Sequence, residues 1–575
     1  MNMDDDSGIA LSHASALFRD YISDAAGAPD GARNGAVHGA LHGALHGTRN
    51  GVLDAFYSPL RRGTAWMRSP SMMDAKTRAD VACLLAAQNQ TWGAGTETLT
   101  QLERLASGAS AVVTGQQVGL FGGPLLTLLK AATAIRRAED ASCAGHSHVP
   151  IFWLASEDHD LAEVNHAVFP DRISTIKQGS GSDDGLRTLH LATPQPHALS
   201  VGKIPLGADV VPLLEEVQSL LGNGPAYDLL AACYRPEATY AEAFGRLLLR
   251  VFARHGLIVI DASSRPFHAL ARPVLRAAIT QAAPLRAALL ERSRTLEAAG
   301  YHAQVRVAES SSLLFLLDET TGARVALHLH SGEEWKAGGR AYRTAELLDI
   351  LEATPERISP NALLRPLMQD ALLPTSAYIG GPAEIAYFAQ SQVLYERILG
   401  RVTPILPRLS ATLIEPQVAH LLERYGLEWV DVLDEPGTGA GSESLAQRLA
   451  ARAMPVEGKR RLALTGEALD RELTALTAWM ESVDAGLGRS AQTAASKMRY
   501  QMNRMRRLAA NFERECAPSL RRHAAQLHQH LHPTGRLQER VLAAAWFLQR
   551  DSEALASRLV QCAEGVCDRH RAIRL

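Results

Sequence analysis

Between residues 53 and 410 the chain alternates between two kinds of segment. Short runs rich in β-branched or aromatic residues end in turns bearing Gly or Asp, and longer amphipathic stretches follow. Ala111-Val112-Val113-Thr114 leads into a glycine-rich turn and a predicted helix from Pro124 to about Glu139. Val149-Pro150-Ile151-Phe152-Trp153-Leu154 leads into Ser156-Glu157-Asp158-His159-Asp160. Leu257-Ile258-Val259-Ile260 ends on Asp261, with a helix predicted after Pro266. Ser376-Ala377-Tyr378-Ile379 leads into Gly380-Gly381-Pro382 and a further helix. Continuous apolar strands separated by helices predict an α/β fold with a parallel sheet covered on both faces. Residues 170–250 and 300–360 alternate less clearly and read as insertions, with strand-like stretches at Leu313–Leu317 and Arg324–Leu329.

After about residue 455 the pattern becomes continuous helix. Met498, Met502, Met505, Ala509, Phe512, Cys516, Leu520, Ala524, Leu527 and Leu531 step by three or four residues, a coiled-coil-like seam flanked by arginines. Pro518 is predicted to kink or break it. A helix around Leu469–Met480 is the expected antiparallel partner across Ala485-Gly486-Leu487-Gly488, so a hairpin fits better than a rod. After His532-Pro533-Thr534-Gly535 a shorter helix with Trp546 and Phe547 is expected to pack back on the core. The partition is thus an N-terminal segment 1–52, a core 53–455 with two insertions, a helical arm 456–531 and a C-terminal piece 532–575.

Composition narrows the class. Of 575 residues, 46% are apolar and 21% charged, which is globular usage. The 59 Lys+Arg against 61 Asp+Glu leave no basic excess, which argues against a nucleic-acid partner. No apolar run reaches the length of a membrane span, and the start is acidic without the apolar stretch of a secretory signal. The six cysteines are scattered without a Cys-x-x-Cys, which reads as reduced thiols in a cytoplasmic protein. His38, His42 and His46 recur every fourth residue in a Gly-Ala-Leu-His repeat. One helical face could carry them to a metal, but a glycine in every turn weakens the helix, and low complexity is the preferred reading.

Three segments carry candidate chemistry. Thr114-Gly115-Gln116-Gln117-Val118-Gly119-Leu120-Phe121-Gly122-Gly123-Pro124 follows a strand and opens a helix, so its N–H groups suit an anion. By pattern alone it is equally a tight turn, and the Gln116-Gln117 pair turns the reading towards a polar ligand. Glu157, Asp158, His159, Asp160, Glu163, Asn165 and His166 fall where a parallel strand ends, the usual place for ligands. His159 is a candidate general base or phosphate ligand, with Asp158 or Asp160 orienting it. The competing reading is a helix cap with an acidic first turn, and no zinc spacing is present. Arg365, with Gly380, Gly381, Glu384 and Tyr387, repeats the strand–Gly-Gly-Pro–helix pattern; Glu384 and Tyr387 share a helical face, and Arg365 suits a carboxylate or phosphate. Alone, this third segment reads as a second structural turn.

Taken together, Val-Thr-Gly-Gln-Gln-Val-Gly-Leu-Phe-Gly-Gly-Pro, Phe-Trp-Leu-Ala-Ser-Glu-Asp-His-Asp with Glu-Val-Asn-His, Arg-Pro-Leu-Met-Gln, Tyr-Ile-Gly-Gly-Pro-Ala-Glu-Ile-Ala-Tyr and Gly-Arg-Leu-Gln-Glu-Arg (535–540) resemble the cysteine-ligase family of bacillithiol biosynthesis over roughly residues 53–570. The resemblance implies a Rossmann-like core with connecting-peptide insertions and a C-terminal coiled coil that pairs two subunits. It implies a reaction between L-cysteine and the amine of glucosaminyl-malate, with ATP as the expected source of a cysteinyl-adenylate. A metal requirement is left open, and neither nucleic acid nor membrane is an expected partner. In that scheme Thr114, Gly115, Gln116, Gln117, Gly119, Gly122, Gly123 and His159 handle the nucleotide. Asp158, Asp160 and Asn165 position cysteine or the amine, and Glu157 and His166 are further candidates for binding substrate or nucleotide. Arg365 and Glu384 hold the sugar–malate partner, and Gly380, Gly381 and Tyr387 are further candidates for binding substrate or nucleotide. The alternative kept open is a nucleotide- or sugar-binding coiled-coil accessory protein that forms no bond.

Overall fold

A computed structural model describes residues 9, 15–25, 49–68, 73–171, 185–192, 199–330, 333–433, 441–549 and 551–575. The His38, His42 and His46 repeat lies outside these residues. Five parallel strands form the central sheet: β1 (Ser110–Gln116), β2 (His148–Leu154), β3 (Ile258–Ile260), β4 (Thr375–Gly380) and β5 (Ile405–Pro407). Their spatial order is β5-β4-β1-β2-β3. The chain starts in the middle, builds outwards through β2 and β3, and returns to the other side of β1 for β4 and β5. That reversal creates a switch point beside β1, where the carboxyl ends of the strands diverge and leave a crevice.

The strands are apolar throughout because both faces are covered. Along β2, Phe152 and Leu154 join one buried cluster and Ile151 and Trp153 the other, the two-residue period of a strand. Helix α1 (Leu126–Cys143) packs on β1 and β2. Helix α2 (Arg265–Thr280) follows β3, α3 (Arg365–Leu372) precedes β4, and α4 (Pro382–Leu394) follows it. The first insertion holds an antiparallel pair, His166–Pro170 with Leu186–His190, and three helices up to Val251. The second is a five-stranded antiparallel sheet that includes Ser311–Leu317, Arg324–Leu329 and Ile358–Pro360.

In the C-terminal half, α5 (Val456–Val483) and α6 (Ala485–Cys516) form a hairpin whose turn is Asp484, which caps α6 by accepting from the Leu487 N–H. Residues 485–488, expected as the turn, are the first turn of α6. The helix breaks before Pro518, the first residue of α7 (Pro518–Leu531). The expected seam splits in two. Met502, Leu520, Ala524, Leu527 and Leu531 are buried as expected, but with Met502 it is Ala495 and Ala510 that pack inwards in α6. Met498, Met505 and Phe512 stay 49%, 51% and 64% exposed, because a hairpin buries only one stripe of each helix. Trp546 and Phe547 are buried in the core, though in a single turn (Ala544–Phe547); the longer helix is Ser552–Cys562, followed by a strand that pairs with Ser410–Ile414. Among the described residues no helix is long and apolar enough to cross a membrane.

Candidate active site

A cleft of about 760 Å³ opens at the switch point. Residues at or after the carboxyl ends of all five strands line it: Gly115–Gln117, Leu154–His159, Ala262–Ser263, Gly381–Glu384 and Arg408. The antiparallel insertion adds Phe315, Arg324 and Asn361, and the C-terminal half adds Arg540. A second hollow of about 910 Å³ lies between Glu415, His530, Trp546 and Arg558 and contains none of the predicted site residues.

One wall of the cleft is cationic. Lys130, buried on α1, spends its three ammonium protons on Gly115 O at 2.7 Å, Gln116 Oε1 at 2.9 Å and Glu384 Oε2 at 2.6 Å. Glu384 also accepts from the Gly381 N–H at 2.8 Å and from Tyr378 Oη at 2.6 Å. Burial pushes the Glu384 carboxyl up, but Lys130 and these donors outweigh it and hold the group below the usual carboxylate range. Arg365 donates to Tyr387 Oη at 2.9 Å, Tyr378 Oη at 3.4 Å and Gln369 Oε1 at 3.2 Å, all neutral partners. Arg408 is held bidentately by buried Glu539 at 2.6 and 3.0 Å. The Arg540 guanidinium donates to no other described residue, and burial, with Arg408 beside it, pulls it down. Lys130, Arg365, Arg408 and Arg540 therefore face two carboxylates, Glu384 and Glu539, and two positive charges remain unmatched.

The opposite wall mixes signs. Gln117 Nε2 bridges Asp158 Oδ2 at 2.7 Å and Glu163 Oε2 at 2.6 Å. Arg324 lies 3.7 Å above the Phe315 ring and is fixed by Ser359 Oγ and Pro360 O. Its Nη1 lies 3.4 Å from His159 Nδ1, and the same ring nitrogen stands 3.6 Å from Asp158 Oδ1. Ser156 Oγ holds Asp261 at 2.5 Å, tying the ends of β2 and β3 together.

Gly115, Gln116, Gln117, Glu157, Asp158, His159, Arg365, Gly381, Glu384 and Tyr387 thus come together from three distant segments. The other sequence candidates lie off the cleft lining. Thr114 is buried and bonds Ile379 O at 2.9 Å, stitching β1 to β4. The glycine loop does not offer its N–H groups to an anion. Gly119, Gly122 and Gly123 donate to Gln117 O, Tyr234 Oη and Leu120 O, and the loop packs on residues 542–544. Asp160 caps the short turn Leu161–Glu163. Asn165 pairs through its backbone with Leu161 and Leu191, and His166 bonds Ala162 O and lies against the His190 ring instead of converging with His159. Gly380 faces Ile405 on the neighbouring strand. Among the described residues no three His, Cys, Asp or Glu side chains are grouped to hold a metal ion.

Sequence reasoning missed Lys130, Arg324, Arg408 and Arg540. For Lys130 a signal existed: it is a lone charge in Leu125–Ile135, and a buried lysine requires a partner. Arg324 and Arg408 carry no local signal, since each reaches the cleft from a separate element, whereas Arg540 closes the Gly-Arg-Leu-Gln-Glu-Arg motif, which served only the resemblance.

The molecule is, as a class, a Rossmann-like α/β protein with an inserted antiparallel sheet, a charged cleft at the switch point and a C-terminal helical hairpin. Residues 46–409 match the family described as "Bacillithiol biosynthesis BshC, N-terminal Rossmann-like domain", and residues 411–575 match "Bacillithiol biosynthesis BshC, C-terminal coiled-coil domain". The chain belongs to the BshC family. It is 42% identical over 525 residues to the protein named "Putative cysteine ligase BshC" of Koribacter versatilis (strain Ellin345), covering 91% of this chain and 95% of that protein. Proteins of the same name from Solibacter usitatus (strain Ellin6076) and Salinibacter ruber (strain DSM 13855 / M31) are 37% and 34% identical, over 90% and 86% of this chain and 94% and 88% of theirs.

Proposed function

We propose that this chain is a ligase that joins the carboxyl group of L-cysteine to the amine of glucosaminyl-malate, giving bacillithiol. The observation that carries the reading is the cleft wall where Arg365 and Arg540 lack carboxylate partners beside the Lys130–Glu384 pair. Two unmatched, partly desolvated guanidiniums suit a dianion, and malate contributes two carboxylates. Amide formation from a free carboxylate is uphill in water, so we take ATP as the source of activation. The cysteine carboxylate takes the adenylyl group of ATP as pyrophosphate leaves. The neutral amine then attacks the acyl carbon and loses a proton as AMP departs with the former carboxylate oxygen. Arg324 and His159, on the opposite wall, are the groups suited to the charge that develops on the activated carboxyl. The predicted roles of Gly119, Gly122 and Gly123 in holding a nucleotide are not part of this reading, because their N–H groups are spent within the fold.

The same reading has two copies pair through the helical hairpin, covering Met498, Met505 and Phe512, so the protein is expected to run at twice its chain mass.

Incubating the protein with L-cysteine, glucosaminyl-malate and ATP, with product read by mass spectrometry, is the direct test. Bacillithiol is expected, and Arg540→Ala is expected to raise the KM for glucosaminyl-malate by roughly 10–100-fold. Ligand binding without product would favour the accessory-protein reading.

A further inference from the structure

One fully buried imidazole beside the cleft takes no part in the reaction as proposed. His268, in the first turn of α2, has Nδ1 3.1 Å from Ile358 O and Nε2 2.8 Å from Glu157 Oε1. A carbonyl oxygen only accepts, so Nδ1 carries a proton. Nε2 faces a carboxylate, so it donates as well whenever Glu157 is ionised. Burial opposes charge on both groups, yet their mutual attraction prevails, holding His268 above the usual imidazole range and Glu157 below the usual carboxylate range. The pair is thus a sheltered imidazolium and carboxylate at the junction of β2, α2 and the inserted sheet. Glu157 keeps 19% of its side chain exposed on the cleft, and its Oε2 accepts no hydrogen bond from any other described residue.

We infer that Glu157 receives the α-ammonium of L-cysteine and that His268 is its positioning residue, fixing one carboxylate oxygen so that the other meets the ligand. The inference rests on the ligase reading for the identity of the substrate. A carboxylate kept ionised by a neighbouring cation is a poor proton acceptor, so Glu157 acts as a charge partner and not as a general base. The attacking amine of glucosaminyl-malate must be neutral, and an ionised carboxylate beside it would hold it protonated. The α-ammonium of cysteine takes no part in bond formation and gains from such a partner. The wall of Lys130, Arg365, Arg408 and Arg540, with two positive charges in excess, repels an ammonium and suits carboxylates. The cleft therefore has a polarity that fixes which substrate sits at which end.

The test compares binding of L-cysteine and 3-mercaptopropionate, which has the same thiol and carboxyl but no amine, to the full-length protein by titration calorimetry. Wild type is expected to prefer cysteine by about 10–100-fold, the range for a hydrogen bond to a charged group. Glu157→Gln is expected to remove most of that preference, and His268→Gln to reduce it by roughly 10-fold. The double variant is expected to be no worse than Glu157→Gln alone, because His268 acts only through Glu157. In turnover assays the KM for cysteine rises while that for glucosaminyl-malate stays. Equal binding of the two thiols, no cysteine binding by wild type, additive losses in the double variant, or a rise confined to the glucosaminyl-malate KM would each overturn the inference. Should His268→Gln fail to fold, Glu157→Gln alone decides. Amine discrimination without bacillithiol formation would instead refute the ligase reading and leave the ammonium site standing.

Discussion

Two segments of this chain share one pattern and meet different fates. Residues 111–130 and 375–387 each run strand, two glycines, proline, helix. In the first, the glycines turn inwards and their N–H groups are spent on Gln117, Leu120 and Tyr234. In the second, Gly381 N–H caps α4 through Glu384, and that carboxylate faces the cleft. A glycine turn after a strand is therefore a way of starting a helix, and the chemistry depends on which charged residue the helix then presents. The first unit presents Lys130 and the second Glu384, and the two meet at 2.6 Å between neighbouring strands. The C-terminal half braces both. The Leu125 N–H donates to Leu542 O and the Ala544 N–H to Gly123 O behind the first unit, and Glu539 holds Arg408 beside the second.

The largest effect is expected from breaking the contact that joins the two units. Lys130→Met leaves Glu384 buried without its cation and is expected to destabilise the fold by about 3–5 kcal/mol, the usual cost of orphaning a buried charge. Lys130→Met with Glu384→Gln removes both charges and is expected to recover most of that loss while product formation stays at least about 100-fold down. Urea unfolding and product assays read the two effects separately. A single variant as stable as wild type would show that the units do not depend on the pair.

A smaller effect, dependent on pH, probes the brace behind the second unit. Ser410 Oγ donates to Glu539 Oε1, so it accepts from His570 Nδ1–H, and His570 Nε2 is left to accept from Thr412 Oγ1. The ring must be neutral to fill both roles. Burial, opposed only in part by Glu539, pushes the imidazole down to about 4. The unfolded chain takes up this proton near pH 6.5, so stability falls as pH drops from 6.5 towards 4 and this contribution levels off below 4. The loss is at most roughly 3 kcal/mol. His570→Asn is expected to be less stable than wild type at pH 7, with the gap narrowing steadily down to pH 4.5 in urea titrations. A gap independent of pH would show that the ring does not titrate as this network requires.

The parallel sheet was legible because its strands are apolar on both faces, and the break before Pro518 because proline cannot continue a helix. The strands at Ser311–Leu317 and Arg324–Leu329 stood out as short, largely apolar runs. What sequence concealed was direction. Nothing in Gly-Leu-Phe-Gly-Gly-Pro says that its N–H groups are spent within the fold: Gly119 and Gly123 donate to Gln117 O and Leu120 O in the loop itself, and Gly122 to Tyr234, more than 100 residues away. His268 fell within a helix expected after Pro266, and nothing in the sequence marked Arg324, Arg408 or Arg540 as facing a cleft. Each gains its role only when the insertion and the C-terminal half close over the switch point. The candidate site was thus legible where one strand end carries several polar residues, and illegible where distant elements each supply one.

The smallest expected effect separates the two turns most directly. Gly122 has φ +88°, and a Cβ there would come within 3.0 Å of Leu247 Cδ2 and 3.3 Å of Ala544 Cβ. Gly122→Ala is expected to cost about 1–3 kcal/mol through backbone strain and crowding, with the KM for both substrates unchanged. Gly381 has an ordinary φ of −86°, but its Cβ would approach Arg408 Nε at 3.2 Å and Glu384 Oε2 at 3.5 Å. Gly381→Ala is expected to cost less than about 1 kcal/mol while shifting the glucosaminyl-malate KM several-fold, because it displaces the two charges that flank the cleft. Thermal melts and initial rates on both variants decide the matter. If Gly122→Ala were the one to change KM, the glycine loop would belong to the site after all, and the contrast between the two units would fall.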